Sequence, residues 1–330
     1  MRLRLRNIWR YRYQSRKIFR DAVFLMGLNR SYFSKARGAR IVVYHGICRH
    51  DHLRFNTIFL TQKMFESHLK FYKQYFNVIS LDEYYRGNFS DDRFNICLTF
   101  DDGFANNHKY VLPLLEQYEL PAAFFITAVR EAGYNILWND HLSMAYKYGE
   151  HKYVFRNEEF LKDHYGKYKS SSTGKFLADL LREKDFEPKI ELMQTLKLKR
   201  QVETDFWLQM TEEEIKELSD SKWVTIGSHG YYHNDLAKIP VASVKDEVSR
   251  SKEFLENVTG KEIEALAFPY GSYNKDAIHE TKKAGFTKLL AAEFLFPDDV
   301  NDLSLRVRLI INPFISTVNQ MYATISGNYE

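Results

Sequence analysis

The chain has 330 residues, 45% of them hydrophobic and 27% charged, and this ordinary globular composition argues against a disordered, collagen-like or fibrous protein. Its formal net charge of +4 is unevenly distributed. Residues 1–40 contain 12 Arg and Lys and one Asp, a net charge of +11, so the rest of the chain carries a net charge of −7. The two cysteines, Cys48 and Cys97, form no CxxC pair and offer no disulfide framework.

Residues 1–38 are predicted to form a basic helical leader. Over residues 6–20 the sequence reads RNIWRYRYQSRKIFR, which combines cations with aromatic side chains. Such a segment could lie on an anionic membrane surface, where each cation contributes about 1 kcal/mol. A plain solvated helix explains the charges equally well, and nucleic-acid binding, the remaining alternative, is not expected.

No secretion signal or membrane span is predicted. The longest uncharged run of the leader, residues 22–29, is too short for the apolar region of a signal peptide. The uncharged segment 309–329 is interrupted by Asn, Gln, Ser, Thr and Pro too often to span lipid. We therefore expect a cytoplasmic protein, which the leader could hold at the inner face of the membrane.

Short apolar runs that end in turn or polar residues recur along residues 39–330 and are predicted to be strands. They read RIVVYHG, NVISLDE, NICLTFDDG, PAAFFITA, WVTIGSHG, EALAFPYG, TKLLAAE and LRVRLII. Helical patterns lie between several of them, and one begins with a capping box formed by Thr211 and Glu214. This alternation predicts an α/β fold with a parallel sheet, and seven or eight such strands favour a distorted (β/α)7-8 barrel.

The segment at about 135–220 interrupts the alternation of strands and helices. It is charged, rich in Tyr and mostly helical in pattern, so we predict a helical insertion between two barrel strands. Within it, Trp138 in LWNDHL could stack on a ligand or simply pack in a core.

Polar residues directly follow several predicted strands. In a barrel of this kind the functional site lies at the carboxyl ends of the strands. The residues at those ends are His45, Asp101, Asp102, His229, His233, Pro269 and Tyr270.

The spacing of His229 and His233 allows one helical turn or compact loop to direct both imidazoles at a metal ion, although a surface or packing role is an open alternative. One of the two aspartates would complete a His2Asp set with open positions for water, as in a catalytic zinc-type site. The other could act as a general base, because the cation keeps both carboxylates ionised. The DDG sequence could also be a plain turn, but a helical pattern follows it.

Three motifs carry a family resemblance. LTFDDGFANN, GSHGYYHNDL and AFPYGSYN, in that order, resemble the first three motifs of the NodB-type polysaccharide deacetylases, carbohydrate esterase family four. The resemblance implies a distorted (β/α) barrel and metal-dependent removal of an N-acetyl group from an amino sugar. It further implies one divalent cation, for which zinc is the expected ion, and an N-acetylated oligo- or polysaccharide substrate. The absence of an export signal points towards a lipid-linked or nucleotide-linked sugar.

The resemblance also assigns roles to individual residues. Asp101 would be the base that activates water, and Asp102, His229 and His233 would be the metal ligands. The backbone N–H of Tyr270, directly after Pro269, would help to bind the oxyanion of the tetrahedral intermediate.

The chain departs from the family pattern at three places. The arginine of the third motif, which steadies the catalytic aspartate, is Ala267 here, and Arg306 or Arg308 could replace it from a neighbouring strand. The Ser or Thr that usually follows the first histidine of the second motif is Gly230. No late LxH motif is present to supply the general acid.

His45 offers a replacement for that acid. It resembles the N-terminal YH of the branch that deacetylates biofilm poly-N-acetylglucosamine, and a histidine at a strand end could protonate the departing amine. A core imidazole bonded to backbone is the alternative.

Two other functions remain open. Ala267 and the missing late motif would also fit a catalytically degenerate barrel that binds glycan. The same chemistry could act on a formyl group or an O-acetyl ester, because the ligand set does not select the acyl group.

Overall fold

The computed structural model describes residues 15–52 and 54–329. Residues 1–14 of the predicted leader therefore lie outside the described residues. In the remainder of the leader, residues 15–25 are helical and Arg30–Ser34 form a short helix. No helix in the described part of the chain is both long and apolar enough to cross a membrane.

Eight parallel strands form the main sheet. They are β1 (Ala39–Tyr44), β2 (Phe76–Ile79), β3 (Phe94–Phe100), β4 (Ala122–Ile126), β5 (Val224–Ser228), β6 (Ala265–Ala267), β7 (Lys288–Ala291) and β8 (Leu305–Ile310). Seven of them close into a ring in the order β1, β8, β7, β6, β5, β4, β3, because β3 pairs with β1 along its length. This confirms the predicted (β/α) barrel.

β2 lies outside the ring and explains why the barrel is distorted. It pairs with Phe94–Cys97, the first half of β3, whereas β4 pairs with Leu98–Phe100, the second half. The two strands therefore share one edge of β3. The carboxyl half of β3, which leads to the predicted site, belongs to the closed ring.

Helices cover the outside of the barrel. Their ranges are Gln62–Tyr75, Leu81–Arg86, Leu112–Tyr118, Glu212–Asp220, Val241–Thr259, Lys275–Lys283 and Thr317–Ser326. The predicted capping box is present, since Thr211 Oγ1 accepts a hydrogen bond from the Glu214 amide and the Glu214 carboxylate accepts one from the Thr211 amide.

The insertion lies between β4 and β5 and has a hydrophobic core of its own. It contains the expected helices Trp138–Tyr148, Leu177–Arg182 and Phe186–Thr195. Trp138 is buried in this core, in agreement with a packing role.

The insertion also contains a three-stranded antiparallel sheet that the sequence analysis did not predict. Its strands are Lys152–Phe155, Glu158–Lys162 and Tyr168–Ser170. Exposed and buried residues alternate along the first strand, and Arg156 and Asn157 both have positive φ (49° and 64°), as in a two-residue hairpin turn. The signal was thus present as the period-two pattern of KYVF followed by RN.

Candidate active site

Strand periodicity directs Asp101 into the barrel. Along β3, Leu98 and Phe100 pack in the core beneath the outer helices, whereas Cys97 belongs to the cluster inside the barrel. Because alternate residues of a strand face the same side, Asp101 continues the inward row beyond Thr99. Its amide donates a hydrogen bond to the Tyr44 carbonyl at 3.0 Å, so the pairing of β1 with β3 extends to this residue.

The backbone turns sharply after Asp101. Asp102 and Gly103 both have positive φ, 77° and 81°, and such a conformation is unfavourable for a residue with a side chain. The turn directs the Asp102 carboxylate towards His229 and His233. The DDG sequence is therefore a turn, as the simpler interpretation had it, and this turn brings both carboxylates to one place.

The three predicted ligands converge. Asp102 Oδ1 lies 3.4 Å from His229 Nε2 and 3.2 Å from His233 Nε2, and one possible ligand atom of each residue lies within 4.8 Å of the others. All three residues are buried. In the part of the chain that the structure describes, this is the group of side chains suited to hold a metal ion.

The orientation of His229 is set by the backbone of the next strand. Its Nδ1 lies 2.7 Å from the carbonyl oxygen of Ala267, so Nδ1 carries the proton and donates it. The lone pair of Nε2 is then directed at Asp102, which is the tautomer that metal binding needs. Ala267 lacks the arginine side chain expected from the family resemblance, but its backbone still orients His229.

Asp101 is held by Arg308. The guanidinium donates two hydrogen bonds to the carboxylate, each of 2.7 Å, and a third, of 3.2 Å, to Thr99 Oγ1. Burial is the largest influence and acts to raise the pKa of Asp101, but the charge and hydrogen bonds of Arg308, together with His229 and His45, outweigh it, so the pKa is lower than usual. Of the two candidates for the missing arginine, Arg308 is the one that contacts Asp101, while Arg306 covers the ring of Tyr85.

Asp102 is ionised for a related reason. Burial acts to raise its pKa, but the contacts with His229 and His233 reverse this and hold the pKa well below its usual range. The two adjacent carboxylates thus have different partners, a guanidinium beside Asp101 and two imidazoles beside Asp102, and the pKa of each carboxylate is lowered. This division agrees with one carboxylate as a ligand and the other as a base.

The loop between the two histidines needs glycine at position 230. Gly230 has φ +79°, and a Cβ there would lie 3.0 Å from Glu247 Oε2. That carboxylate oxygen accepts hydrogen bonds from the amides of Tyr231 (2.6 Å) and Tyr232 (3.0 Å). Glu247, buried on helix Val241–Thr259, therefore supports this loop where the family pattern has a hydroxyl side chain.

Replacing Gly230 by Ser, a residue more typical of the family, is expected to destabilise the protein. A side chain in the left-handed region costs about 1–2 kcal/mol, and the contact with Glu247 adds to this. Thermal unfolding of Gly230→Ser measures the loss. Gly260→Ser is the matched control, because Gly260 has φ +68° but open space around it. Equal losses in the two variants would contradict the role given to Glu247.

His45 lies beside these groups. It lines the same cavity as Asp101 and His229, and its Nδ1 has no hydrogen-bond partner among the described residues. Burial lowers the pKa of His45, against the opposing charges of Asp102 and Asp101. A lowered pKa makes the protonated imidazole a stronger proton donor and also reduces the fraction of His45 that is protonated at neutral pH. The alternative for His45 was a core imidazole bonded to backbone. Its Nδ1 makes no such hydrogen bond among the described residues.

Tyr270 and Pro269 differ in their access to the cavity. Tyr270 lines it, adopts φ +61°, and has its ring centroid 4.8 Å from that of His233. The Arg182 guanidinium, from the insertion, lies 4.5 Å from the centre of the Tyr270 ring. Pro269 is buried and is not among the described residues that line the cavity, so it can act on a ligand only by placing Tyr270.

The cavity has a volume of about 220 Å³ and is partly open. Sequence reasoning missed several of its lining residues, which are Val43, Ile58, Asn139, Gly271, Ala291, Ala292 and Ile310. Asn139 comes from the first helix of the insertion and brings a polar side chain, and LWNDHL was the signal for it. The insertion therefore forms part of the cavity wall.

Comparison with known proteins agrees with this geometry. The family model for polysaccharide deacetylase matches residues 90–289, more than half of the chain. The chain belongs to the polysaccharide deacetylase family. The matched region of this family member includes Asp101, Asp102, His229, His233 and Tyr270, but His45 and Arg308 lie outside it.

Solved structures of deacetylases share its fold. The Streptococcus pyogenes deacetylase PplD in complex with acetate has a TM-score of 0.58 at 17% identity, covering 88% of this chain and 99% of PplD. IcaB from Ammonifex degensii has a TM-score of 0.55 at 15% identity, with 88% and 98% coverage. A de-N-acetylase from Aggregatibacter actinomycetemcomitans has a TM-score of 0.51 at 17% identity, covering 84% of this chain and 95% of the de-N-acetylase. No curated protein matches the chain significantly in sequence.

Proposed function

We propose that this deacetylase-family protein is a metal-dependent hydrolase that removes N-acetyl groups from an amino-sugar glycan or lipid-linked saccharide. The observation that carries the proposal is the convergence of Asp102, His229 and His233 beside a second carboxylate, Asp101, in one buried cavity. A structural ion pair would not need two histidines and two acids facing a cavity.

The three ligands fit a zinc ion. Two neutral imidazoles and one carboxylate are a donor set that zinc accepts, and the hydrogen bond from His229 to Ala267 leaves Nε2 free to coordinate. Asp102, His229 and His233 would hold the ion, which when bound would lower the pKa of water and polarise the acetyl carbonyl. The remaining work falls to the side chains around it.

Asp101 would take a proton from the attacking water. Its carboxylate lies 3.8 Å from His229 Nε2, and Arg308 fixes its orientation with two hydrogen bonds. His45 would then give a proton to the amine nitrogen as the C–N bond breaks, and the backbone N–H of Tyr270 would donate to the oxyanion. The products are acetate and a free amino sugar.

The test is acetate release from a panel of N-acetylated amino-sugar oligomers, with and without chelator. We expect release that stops on chelation and returns with added zinc. The purified protein should bind about one metal ion per chain. Formate release, or activity on O-acetyl esters alone, would assign the same machinery to another acyl group. Glycan binding without metal uptake or hydrolysis would instead show a degenerate barrel and refute the proposal.

Replacing His45 by Gln tests the general acid. We expect turnover of the amide to fall by about 10²-fold or more, since glutamine cannot donate the proton that the amine requires. Hydrolysis of an aryl acetate should fall much less, because an aryloxide leaves without protonation. His279→Gln, on the exposed surface of helix Lys275–Lys283, is the control and should change neither rate. Equal losses on both substrates would argue for a structural role of His45.

A further inference from the structure

Helical residues 15–25 dock one face against the barrel. Phe24 packs against Phe33 and Phe71, with ring centroids 5.7 Å apart in each pair. Asp21 accepts hydrogen bonds from Ser316 Oγ (2.6 Å) and Asn319 Nδ2 (3.0 Å), at the start of the C-terminal helix. These contacts fix which side of the helix faces outward.

The outward side is apolar. Ile18, Phe19, Ala22, Leu25 and Met26 are exposed, and the four larger side chains are exposed by 70%, 69%, 83% and 63%. Counted from Ile18, the other four follow after one, four, seven and eight residues, a spacing that places all five on one side of a helix. We call these five residues the apolar stripe. Large apolar side chains grouped in this way usually mark a surface that contacts a partner or a membrane.

Cations lie close to the apolar stripe in the sequence. Arg16 and Lys17 belong to the same helical segment, and the sequence before it carries five more arginines over residues 2–12, together with Trp9. Arg20 of the same segment instead lies over the Tyr322 ring, on the docked side of the helix. Basic and aromatic residues beside an apolar helix face are the composition of helices that lie in the interface of an anionic bilayer. The net charge of +11 on residues 1–40 argues against a second copy of the chain as the partner of the apolar stripe. A symmetric dimer would bring two of these basic segments together, and they would repel each other.

We propose that the apolar stripe binds the surface of an anionic lipid bilayer, with the neighbouring cations within residues 2–17 contacting lipid headgroups. The aliphatic and aromatic side chains would enter the acyl boundary while the opposite face of the helix stays docked on the barrel. This inference does not depend on the hydrolytic reaction, because none of its residues lines the catalytic cavity.

Vesicle flotation of the full chain tests the proposal. We expect binding to vesicles of phosphatidylcholine mixed with phosphatidylglycerol, little binding to phosphatidylcholine alone, and weaker binding as salt is raised. The double variant Phe19→Glu, Leu25→Glu should reduce binding by about tenfold or more. The matched control, Val154→Glu with Leu303→Glu, changes the net charge equally at exposed apolar positions elsewhere (57% and 78% exposed) and should still bind.

Three results would overturn the proposal. One is the absence of binding to the phosphatidylglycerol vesicles, and another is an equal loss in both double variants. The third is a dimer in solution that only the Phe19 and Leu25 variant dissociates, with no vesicle binding, which would assign the apolar stripe to a second copy. Melting temperatures of all three proteins establish that each is folded, as expected for substitutions at exposed positions.

Discussion

Asp101→Asn is expected to lose turnover by about 10²–10⁴-fold while the protein still binds its metal ion. The substitution keeps the size of the side chain but removes the lone-pair basicity that would accept a proton from water. The proposed ligands Asp102, His229 and His233 are untouched, and the support of His229 by the Ala267 carbonyl remains. Metal content and catalysis should therefore separate in this variant.

His229→Ala provides the opposite result, because it removes a ligand. We expect it to lose both metal and turnover. Asp140→Asn is the matched control for Asp101→Asn. Asp140 is also buried, and burial together with the charge of Asp102 raises its pKa well above the usual value, so the amide replaces a group whose charged form is disfavoured. It should keep most of its activity. Full turnover in Asp101→Asn would end the assignment of the base.

Arg308→Ala is expected to reduce both stability and turnover. The guanidinium and the Asp101 carboxylate are both buried, and removing one partner of a buried ion pair costs about 3–5 kcal/mol because the other charge is left without compensation. The base would also lose the two hydrogen bonds that orient it. Urea unfolding and kcat on the same preparations measure the two effects.

Arg306→Ala is the control on the same strand. Arg306 lies nearer the amino end of β8 and binds the carbonyl oxygens of Asp302 and Leu305, without contact to Asp101. Its removal should leave kcat unchanged. A similar fall in kcat for both arginine variants would show that β8 has been disturbed generally and that no specific pair has been lost.

The double variant Ala267→Arg, Arg308→Ala moves the arginine to its usual place in the family. Ala267 belongs to the cluster inside the barrel with Phe125, and the Arg308 guanidinium lies 5.5 Å from the centre of the Phe125 ring. Removal of the Arg308 side chain therefore leaves space near Ala267. We expect the double variant to recover part of the kcat lost in Arg308→Ala. Ala267→Arg alone should be less stable than Arg308→Ala alone, because two cations would share that space.

The strands, their parallel arrangement and most of the site residues could be predicted from the sequence. Apolar runs of strand length, separated by helical patterns, are a local signal, and a parallel barrel places the carboxyl end of each run at one end of the molecule. Asp101, Asp102, His229 and His233 therefore had to lie near that end. The antiparallel sheet of the insertion was missed because its strands are short and lie among helical patterns.

Sequence by itself determined the chemical types at the site: two carboxylates after one strand, two imidazoles after another and a further histidine after β1. Only the tertiary structure decided which of Arg306 and Arg308 holds Asp101, because both have the same parity on β8 and differ only in their height along the barrel. It also decided that Glu247 supports the loop at Gly230. Strand parity and spacing are properties of local sequence, whereas contacts between side chains of distant segments depend on the register and closure of the barrel.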